Sequence, residues 1–281
     1  MRRILVGTDG SVPGGVAVGW AAHLARAVDA ELIVASAWRP RQAEVSPGYY
    51  EELREEAAKL LDDDWAEPAR AAGARHRCLL LEGDPRDLLL RAADDEDADL
   101  LVVGARGTGD HPHALHPGSV AHHVAHHVTR PYALVPAVTV PPSFERILVG
   151  VDGSEGSARA VDWCREVAPA LGAEVLAVHA EESLAEWVPH DDPESWYQVA
   201  VQHTEEWSAP LREAGIPTRA IVVEHLPVTG LAEEATREDA GLVVVGTRGL
   251  GGFTGLRLGS TALKVLHHTG LPVVLVPGDE T

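Results

Sequence analysis

The sequence has very little cysteine, with only Cys78 and Cys164 among its 281 residues. Two cysteines cannot build the disulfide framework that stabilises small secreted domains, and such sparse use fits a reducing compartment. Residues 1–9 contain no apolar segment of the kind that a secretory signal needs. Hydrophobic runs stay short throughout, and none approaches the roughly 18 uninterrupted apolar residues of a transmembrane helix. We therefore expect a cytoplasmic protein that does not bind membranes.

Basic residues are also scarce, because 23 lysines and arginines stand against 43 aspartates and glutamates, for a formal net charge of −20. A negative surface repels nucleic acid, so we predict no nucleic-acid partner. The same field opposes free polyphosphate, and a nucleotide site would need a locally favourable environment. Acidic runs such as Asp62–Asp64 and Asp94–Asp97 are interpreted as solvated helix surface, with docking of a basic partner as the alternative.

The two halves of the chain repeat one another. The segment Arg3–Ser11 returns as Arg146–Ser154 at an offset of 143, and the register changes by only two residues by the end of each half. Other repeated landmarks are Trp20 and Trp163, Trp65 and Trp207, Gly104 and Gly246, Gly118 and Gly259, and Pro131 and Pro272. This pattern indicates duplication of a whole domain. A proline pair near residues 140–143 has linker character, so we predict domains at 1–140 and 144–281.

Each half alternates predicted strands with predicted helices. Short continuous apolar runs such as Ile4–Val6 and Leu100–Val103 are typical of parallel strands covered on both faces. The helices are predicted near 14–28, 48–72, 85–96 and 118–129, and near 156–170, 193–214, 228–238 and 259–269. We interpret the repeated tryptophans as core residues of these helices. The alternation predicts an α/β protein with two tandem, doubly wound, parallel five-stranded sheets flanked by helices.

Candidate ligand-binding residues follow the first and fourth strands of each half. Ligands of open α/β sheets bind beyond the carboxyl ends of the strands. Asp9 and Asp152 follow the first strands, and glycine-rich loops begin at Gly104 and Gly246 after the fourth strands. Glycines let backbone N–H groups approach an anion, and the following helix N-terminus favours phosphate. The alternatives are that the aspartates cap helices and that the loops are plain surface loops.

The second loop carries the more complete pattern. Gly246, Gly249, Gly259 and Ser260 fit the spacing G-x2-G-x9-G-S/T, and Arg248 adds a local positive charge. The chain contains neither the Gly-x4-Gly-Lys-Ser/Thr sequence of a P-loop nor a complete Rossmann glycine fingerprint. An anion site of a different kind is therefore predicted.

With this spacing and the repeated Asp-Gly-Ser segment, the chain resembles the universal stress protein family in its tandem form, across almost its whole length. The resemblance implies an adenine-nucleotide α-hydrolase-like fold and bound ATP, with Mg²⁺ able to accompany the phosphates. It implies that Asp152 contacts adenosine and that the backbone near Val178, His179 and Ala180 lines adenine. Gly249, Gly259 and Ser260 would hold the phosphates and ribose.

The first half departs from the family pattern. Gly104 and Gly107 fit, but ten residues instead of nine separate Gly107 from the pair Gly118 and Ser119. The loop also contains Pro112 and Pro117, and proline removes an N–H donor. The matching candidates are Asp9, Ser36, Ala37, Gly104, Gly107, Gly118 and Ser119. Whether this half binds nucleotide stays open at this point.

Seven histidines lie between His111 and His127, and two pairs have the i, i+4 spacing of metal ligands: His122 with His126, and His123 with His127. No cysteine accompanies them, so we predict solvated histidines and no metal site.

The resemblance favours a binding protein whose nucleotide occupancy alters contacts with a regulatory partner. The alternatives are a slow ATPase or adenylyl-transferring enzyme of the same superfamily, or a flavin-binding electron-transfer subunit. No catalytic residue is predicted. Apolar final strands at 132–135 and 273–276 would be sheet edges, and exposed apolar edges invite pairing. The resemblance implies that these strands contribute to dimer contacts, so we expect the halves to pack as a pseudo-dimer, with a homodimer as a further option.

Overall fold

The computed structural model describes residues 1–39, 47–107, 118–137, 143–181, 193–249, 262, 264–265 and 268–278, with only the backbone of 193–195. The chain divides into two compact units, Met1–Pro141 and Pro142–Thr281.

The first unit is a parallel sheet with strand order β3-β2-β1-β4-β5. Its elements are β1 Arg3–Gly7, α1 Val12–Ala27, β2 Glu31–Trp38, α2 Pro47–Leu60, a π-helical turn Leu61–Trp65, α3 Glu67–Ala71, β3 His76–Glu82, α4 Pro85–Asp95, β4 Leu100–Gly104, α5 Ser119–His127 and β5 Tyr132–Val135.

The second unit has the same topology. Its strand order is β8-β7-β6-β9-β10, and every described pair is parallel. Its elements are β6 Arg146–Gly150, α6 Glu155–Leu171, β7 Glu174–Glu181, α7 Pro193–Trp207, α8 Ala209–Glu213, β8 Thr218–Glu224, α9 Pro227–Arg237, β9 Leu242–Gly246 and β10 Val273–Val276. Residues 262, 264, 265 and 268, within the last predicted helix, are helical.

The central strands form the core of each unit. Ile4, Leu5 and Val6 of β1 have no exposed surface, and the same holds for 147–149 of β6. Strands with apolar side chains on both faces need cover on both faces, and helices between parallel strands supply it. The predicted doubly wound α/β architecture is confirmed.

Two long helices predicted from the sequence are interrupted. The segment 48–72 splits into α2, the π-helical turn and α3, and the segment 193–214 splits at Ser208 into α7 and α8. Pro68 and Pro210 each lie in the first turn of the new helix. Proline has no N–H to donate and is tolerated at a helix start but not in a helix interior. Pro68 and Pro210 are therefore the local sequence signals of the two breaks, which a prediction of one continuous helix does not use.

Candidate functional site

A tight Asp-Gly-Ser turn connects the first strand of each unit to the next helix. Gly10 and Gly153 have φ of +73° and +77°, which favours glycine. Ser11 and Ser154 cap α1 and α6, since each hydroxyl oxygen accepts a bond from a helix N–H at 3.1 Å. The N-cap of each helix is therefore the serine and not the aspartate.

Each aspartate supports its turn with one carboxylate oxygen. Asp9 Oδ1 accepts a hydrogen bond from the N–H of Ser11 at 3.0 Å, and Asp152 Oδ1 accepts one from the N–H of Ser154 at 3.0 Å. The serine hydroxyls donate to the same oxygens. The turn thus fixes where the other oxygen, Oδ2, lies.

That second oxygen lies against the glycine loop after the fourth strand. A Cβ atom on Gly107 would stand 2.6 Å from Asp9 Oδ2, and one on Gly249 would stand 2.4 Å from Asp152 Oδ2. Such distances leave no room for a side chain, so the backbone of each loop passes directly over a carboxylate. The strand-end rule predicts that these two parts of the sequence meet, and they meet in both units.

A cavity of about 280 Å³ opens at this edge of the first unit. Arg106 lines the cavity. Five residues of the predicted site line it too: Asp9, Ala37, Gly104, Gly107 and Ser119. Ser36 is buried in β2. Gly118 is the N-cap of α5, and its N–H donates to the carbonyl of Ala105 at 2.8 Å. The first turn of α5 therefore faces the cavity, where helix N–H groups and the helix dipole favour an anion.

In the second unit, the described part of the loop packs onto the start of α6. The Ser154 hydroxyl oxygen lies 3.4 Å from the Arg248 carbonyl oxygen, and a Cβ on Gly156 would stand 2.1 Å from that carbonyl oxygen. A Cβ on Gly246 would stand 2.4 Å from the carbonyl carbon of Gly156. The structure therefore brings Asp152, Gly246, Arg248 and Gly249 together. Gly259 and Ser260 lie outside the described residues.

The predicted adenine wall of the second unit lies at the end of β7. Val178 is buried, and its carbonyl accepts the N–H of Val151 at 3.0 Å. His179 Nδ1 lies 2.9 Å from the carbonyl of Val151, a contact that requires the proton on Nδ1. Ala180 follows in the same strand. His179 is thus bonded to the backbone next to Asp152.

The described histidines of α5 face each other in pairs. Ring centroids of His122 and His126 are 4.5 Å apart, and those of His123 and His127 are 4.2 Å apart. Burial lowers the pKa of His126, and the neighbouring histidines lower it further. No group of three or more metal-ligating side chains occurs among the described residues, which exclude His111, His113 and His116.

Sequence analysis missed the position of one pair of tryptophans. Trp20 and Trp163 are buried in the helices of the core, as predicted. Trp65 and Trp207 are only half-buried, and their rings lie against Gly10 and Gly153. The available signal was that this pair recurs at an offset of 142, within one residue of the offset of the Asp-Gly-Ser segments.

The duplicated sheets and the aspartate–glycine contact at the strand ends define a tandem α/β protein with a candidate ligand-binding edge in each unit. A sequence model of the universal stress protein family matches residues 1–136 and again 143–277. The chain therefore belongs to the universal stress protein family, in the form with two tandem domains.

Known relatives match almost the whole chain. A universal stress protein of Mycobacterium tuberculosis is 30% identical over 294 residues, covering 97% of this chain and 95% of the relative. The crystal structure of a universal stress protein from Archaeoglobus fulgidus has the same fold, with a TM-score of 0.74 and 22% identity over 98% of this chain and 97% of that one. A universal stress protein crystallised in complex with cAMP is 35% identical over 49% of this chain and 98% of its own, with a TM-score of 0.36. No described helix is long and apolar enough to cross a membrane.

Proposed function

We propose that this protein binds an adenine nucleotide, ATP, at the strand ends of its units, and that nucleotide occupancy regulates its contacts with a partner protein. The observation that carries the proposal is the carboxylate held against a glycine backbone in both units. The family membership of both halves adds to it.

The chemistry of the edge suits the two ends of a nucleotide. A carboxylate oxygen such as Asp9 Oδ2 can accept a hydrogen bond from a ribose hydroxyl or an adenine amino group. The first turn of α5 offers helix N–H groups to phosphate, and Arg106 lines the same cavity. A cavity of about 280 Å³ lies just below the range of about 300–1,000 Å³ that is usual for small-molecule sites. In a protein with a net charge of −20, fixed dipoles of this kind offset the unfavourable field.

Isothermal titration calorimetry with ATP and Mg²⁺ tests the proposal. The wild type should release or absorb heat on binding. Gly259→Glu should abolish binding in the second unit, because the family resemblance assigns Gly259 to phosphate and a carboxylate would repel it. Gly118→Glu should do the same in the first unit. Val199→Glu adds the same charge at an exposed position of α7 and serves as the control. A wild type that gives no heat, or full binding in both glycine variants, would contradict the site.

The regulatory part of the proposal needs its own measurement. Proteins captured from a lysate by the immobilised wild type should differ in the presence and absence of ATP, and Gly259→Glu should reduce that difference. Phosphate release, followed in the same samples, distinguishes pure binding from slow hydrolysis.

A further inference from the structure

In each unit a tryptophan ring lies directly on the glycine of the Asp-Gly-Ser turn. A Cβ on Gly10 would stand 2.2 Å from Cε2 of Trp65, and one on Gly153 would stand 2.7 Å from Cε2 of Trp207. Both glycines have positive φ. The indole therefore occupies the space of a side chain that the glycine lacks, and it blocks the backbone from moving in that direction.

The glycine under each indole is the residue that directly follows the candidate ligand-binding aspartate. Gly10 follows Asp9, whose Oδ2 faces Gly107, so the indole and the glycine loop hold the turn on two sides. The second unit repeats the arrangement with Trp207, Gly153, Asp152 and Gly249. Displacing the ring would free the turn and misplace the carboxylate.

Further aromatic contacts hold Trp207 in the second unit. The ring of His179 meets it edge-on at 5.2 Å between centroids, and the ring of His203 stacks on it at 5.5 Å. His179 also bonds to the carbonyl of Val151, the residue before Asp152. The residues before and after Asp152 are therefore each held by a ring, Val151 by His179 and Gly153 by Trp207.

The first unit keeps the tryptophan in place despite a different chain length. From Gly10 to Trp65 is 55 residues, whereas from Gly153 to Trp207 is 54. Trp65 is the last residue of the π-helical turn, in which Ala66 N donates to the carbonyl of Leu61 at 3.0 Å. A π turn takes in one residue more than an α turn, and such turns are frequent at functional sites. The turn can absorb the added residue while the indole stays on Gly10.

We propose that Trp65 and Trp207 are positioning residues that hold the Asp9 and Asp152 turns in the geometry required for nucleotide binding. This inference rests on the proposed function, since it concerns the same sites. In this inference the tryptophans do not contact the nucleotide but hold the aspartates that do. That role explains why both halves of the duplicated fold keep a tryptophan at this position.

The first test compares tryptophan variants by ATP calorimetry. Trp207→Ala should weaken binding in the second unit roughly tenfold and leave the first unit unchanged, and Trp65→Ala should do the reverse. Trp196→Ala removes an exposed tryptophan of the same helix as Trp207 and is the matched control. Trp207→Phe keeps an aromatic ring and should recover most of the affinity, which also covers the case in which Trp207→Ala does not fold.

A second measurement separates positioning from general support of the fold. Amide hydrogen exchange in Trp207→Ala should rise in the turn around 152–157 and stay unchanged in the opposite end of the unit. In a double-variant cycle with Asp152→Ala, the two losses of affinity should not add, because the tryptophan acts through the aspartate.

Additive losses, or wild-type affinity in folded Trp207→Ala and Trp65→Ala, would overturn the inference. A wild type that binds no ATP would instead refute the proposed function. The exchange measurement needs no nucleotide, so unchanged exchange in the turn would overturn the inference on its own.

Discussion

The two units share the contacts that position the candidate site and differ in the residues around them. Both place a glycine against a carboxylate and an indole against the next glycine. The residue before the aspartate is Thr8 in the first unit and Val151 in the second. At the predicted adenine wall, the first unit has Ser36 where the second has His179. The glycines that face the aspartate and the indole are present in both units, whereas Thr8 and Ser36 of the first unit are replaced by Val151 and His179 in the second.

A second difference concerns how closely the loop approaches the helix after the first strand. At equivalent positions near the start of that helix stand Pro13 and Gly156. A Cβ on Gly104 would stand 3.1 Å from the carbonyl oxygen of Pro13, while one on Gly246 would stand 2.4 Å from the carbonyl carbon of Gly156. Because Gly156 has no side chain, the loop of the second unit can lie directly on the helix.

The largest effect is expected from filling that space. Gly156→Ala puts a methyl group 2.1 Å from the backbone oxygen of Arg248, and overpacking against backbone should destabilise the second unit by about 3 kcal/mol. Pro13→Ala is the matched change in the first unit, and it should cost no more than about 1 kcal/mol, because only the rigidity of proline is lost. Urea unfolding gives both values when it is followed by the exposure of one thiol in each unit, Cys164 in the second and Cys78 in the first. Equal costs would show that the two loops approach their helices equally closely.

The thiols provide the next comparison. Burial raises the pKa of Cys78 in β3 to about 11, and it also raises the pKa of Cys164 in α6. Cys78 should react with iodoacetamide at pH 8 roughly two orders of magnitude more slowly than a free cysteine, whose pKa is about 8.5. Cys164 is fully buried and should react only when its unit opens. Mass spectrometry of the native protein measures both rates, and equal rates would contradict the difference in burial.

Much of the fold follows from the sequence because its signals are local or repeated. Runs such as Ile4–Val6 specify buried strands, and the offset of 143 shows that the second half repeats the first. The meeting of Asp9 with Gly107 follows from a topological rule about strand ends. Domain limits at 1–140 and 144–281, ATP as the ligand and assembly as a pseudo-dimer stay predictions.

The rest depends on packing between distant segments. The contact of Trp65 with Gly10 joins residues 55 positions apart, and no local pattern specifies it. The π-helical turn falls inside the segment 48–72, which is predicted as one helix. The loop can approach Gly156 closely because this residue has no side chain. In the sequence, Gly156 does not differ from any other glycine near the start of a helix.

The smallest expected effect lies at the opposite end of the strands, where each unit carries an equivalent arginine–glutamate network. In the second unit, Arg219 reaches Glu174 at 2.8 Å and Glu238 at 2.5 Å. Arg77 makes the corresponding pairs in the first unit, with Glu31 at 3.3 Å and with Glu96. The hydrogen bond from Arg219 lowers the pKa of Glu238 below its ordinary value of 4.5.

A lowered pKa in the folded state has a defined consequence for stability. The contribution of Glu238 is fully present above the pKa of the unfolded chain and is lost as the pH falls below about 4.5 and through the folded-state pKa. The stability of the second unit should therefore decline over that range, and Glu238→Gln should flatten the decline. Glu96→Gln is the matched variant in the first unit. Urea midpoints at pH 6 and pH 3.5 measure the effect, and it should be small because the arginine is nearly half exposed. An unchanged slope in Glu238→Gln would mean that the pair adds nothing to the folded state, however close its atoms lie.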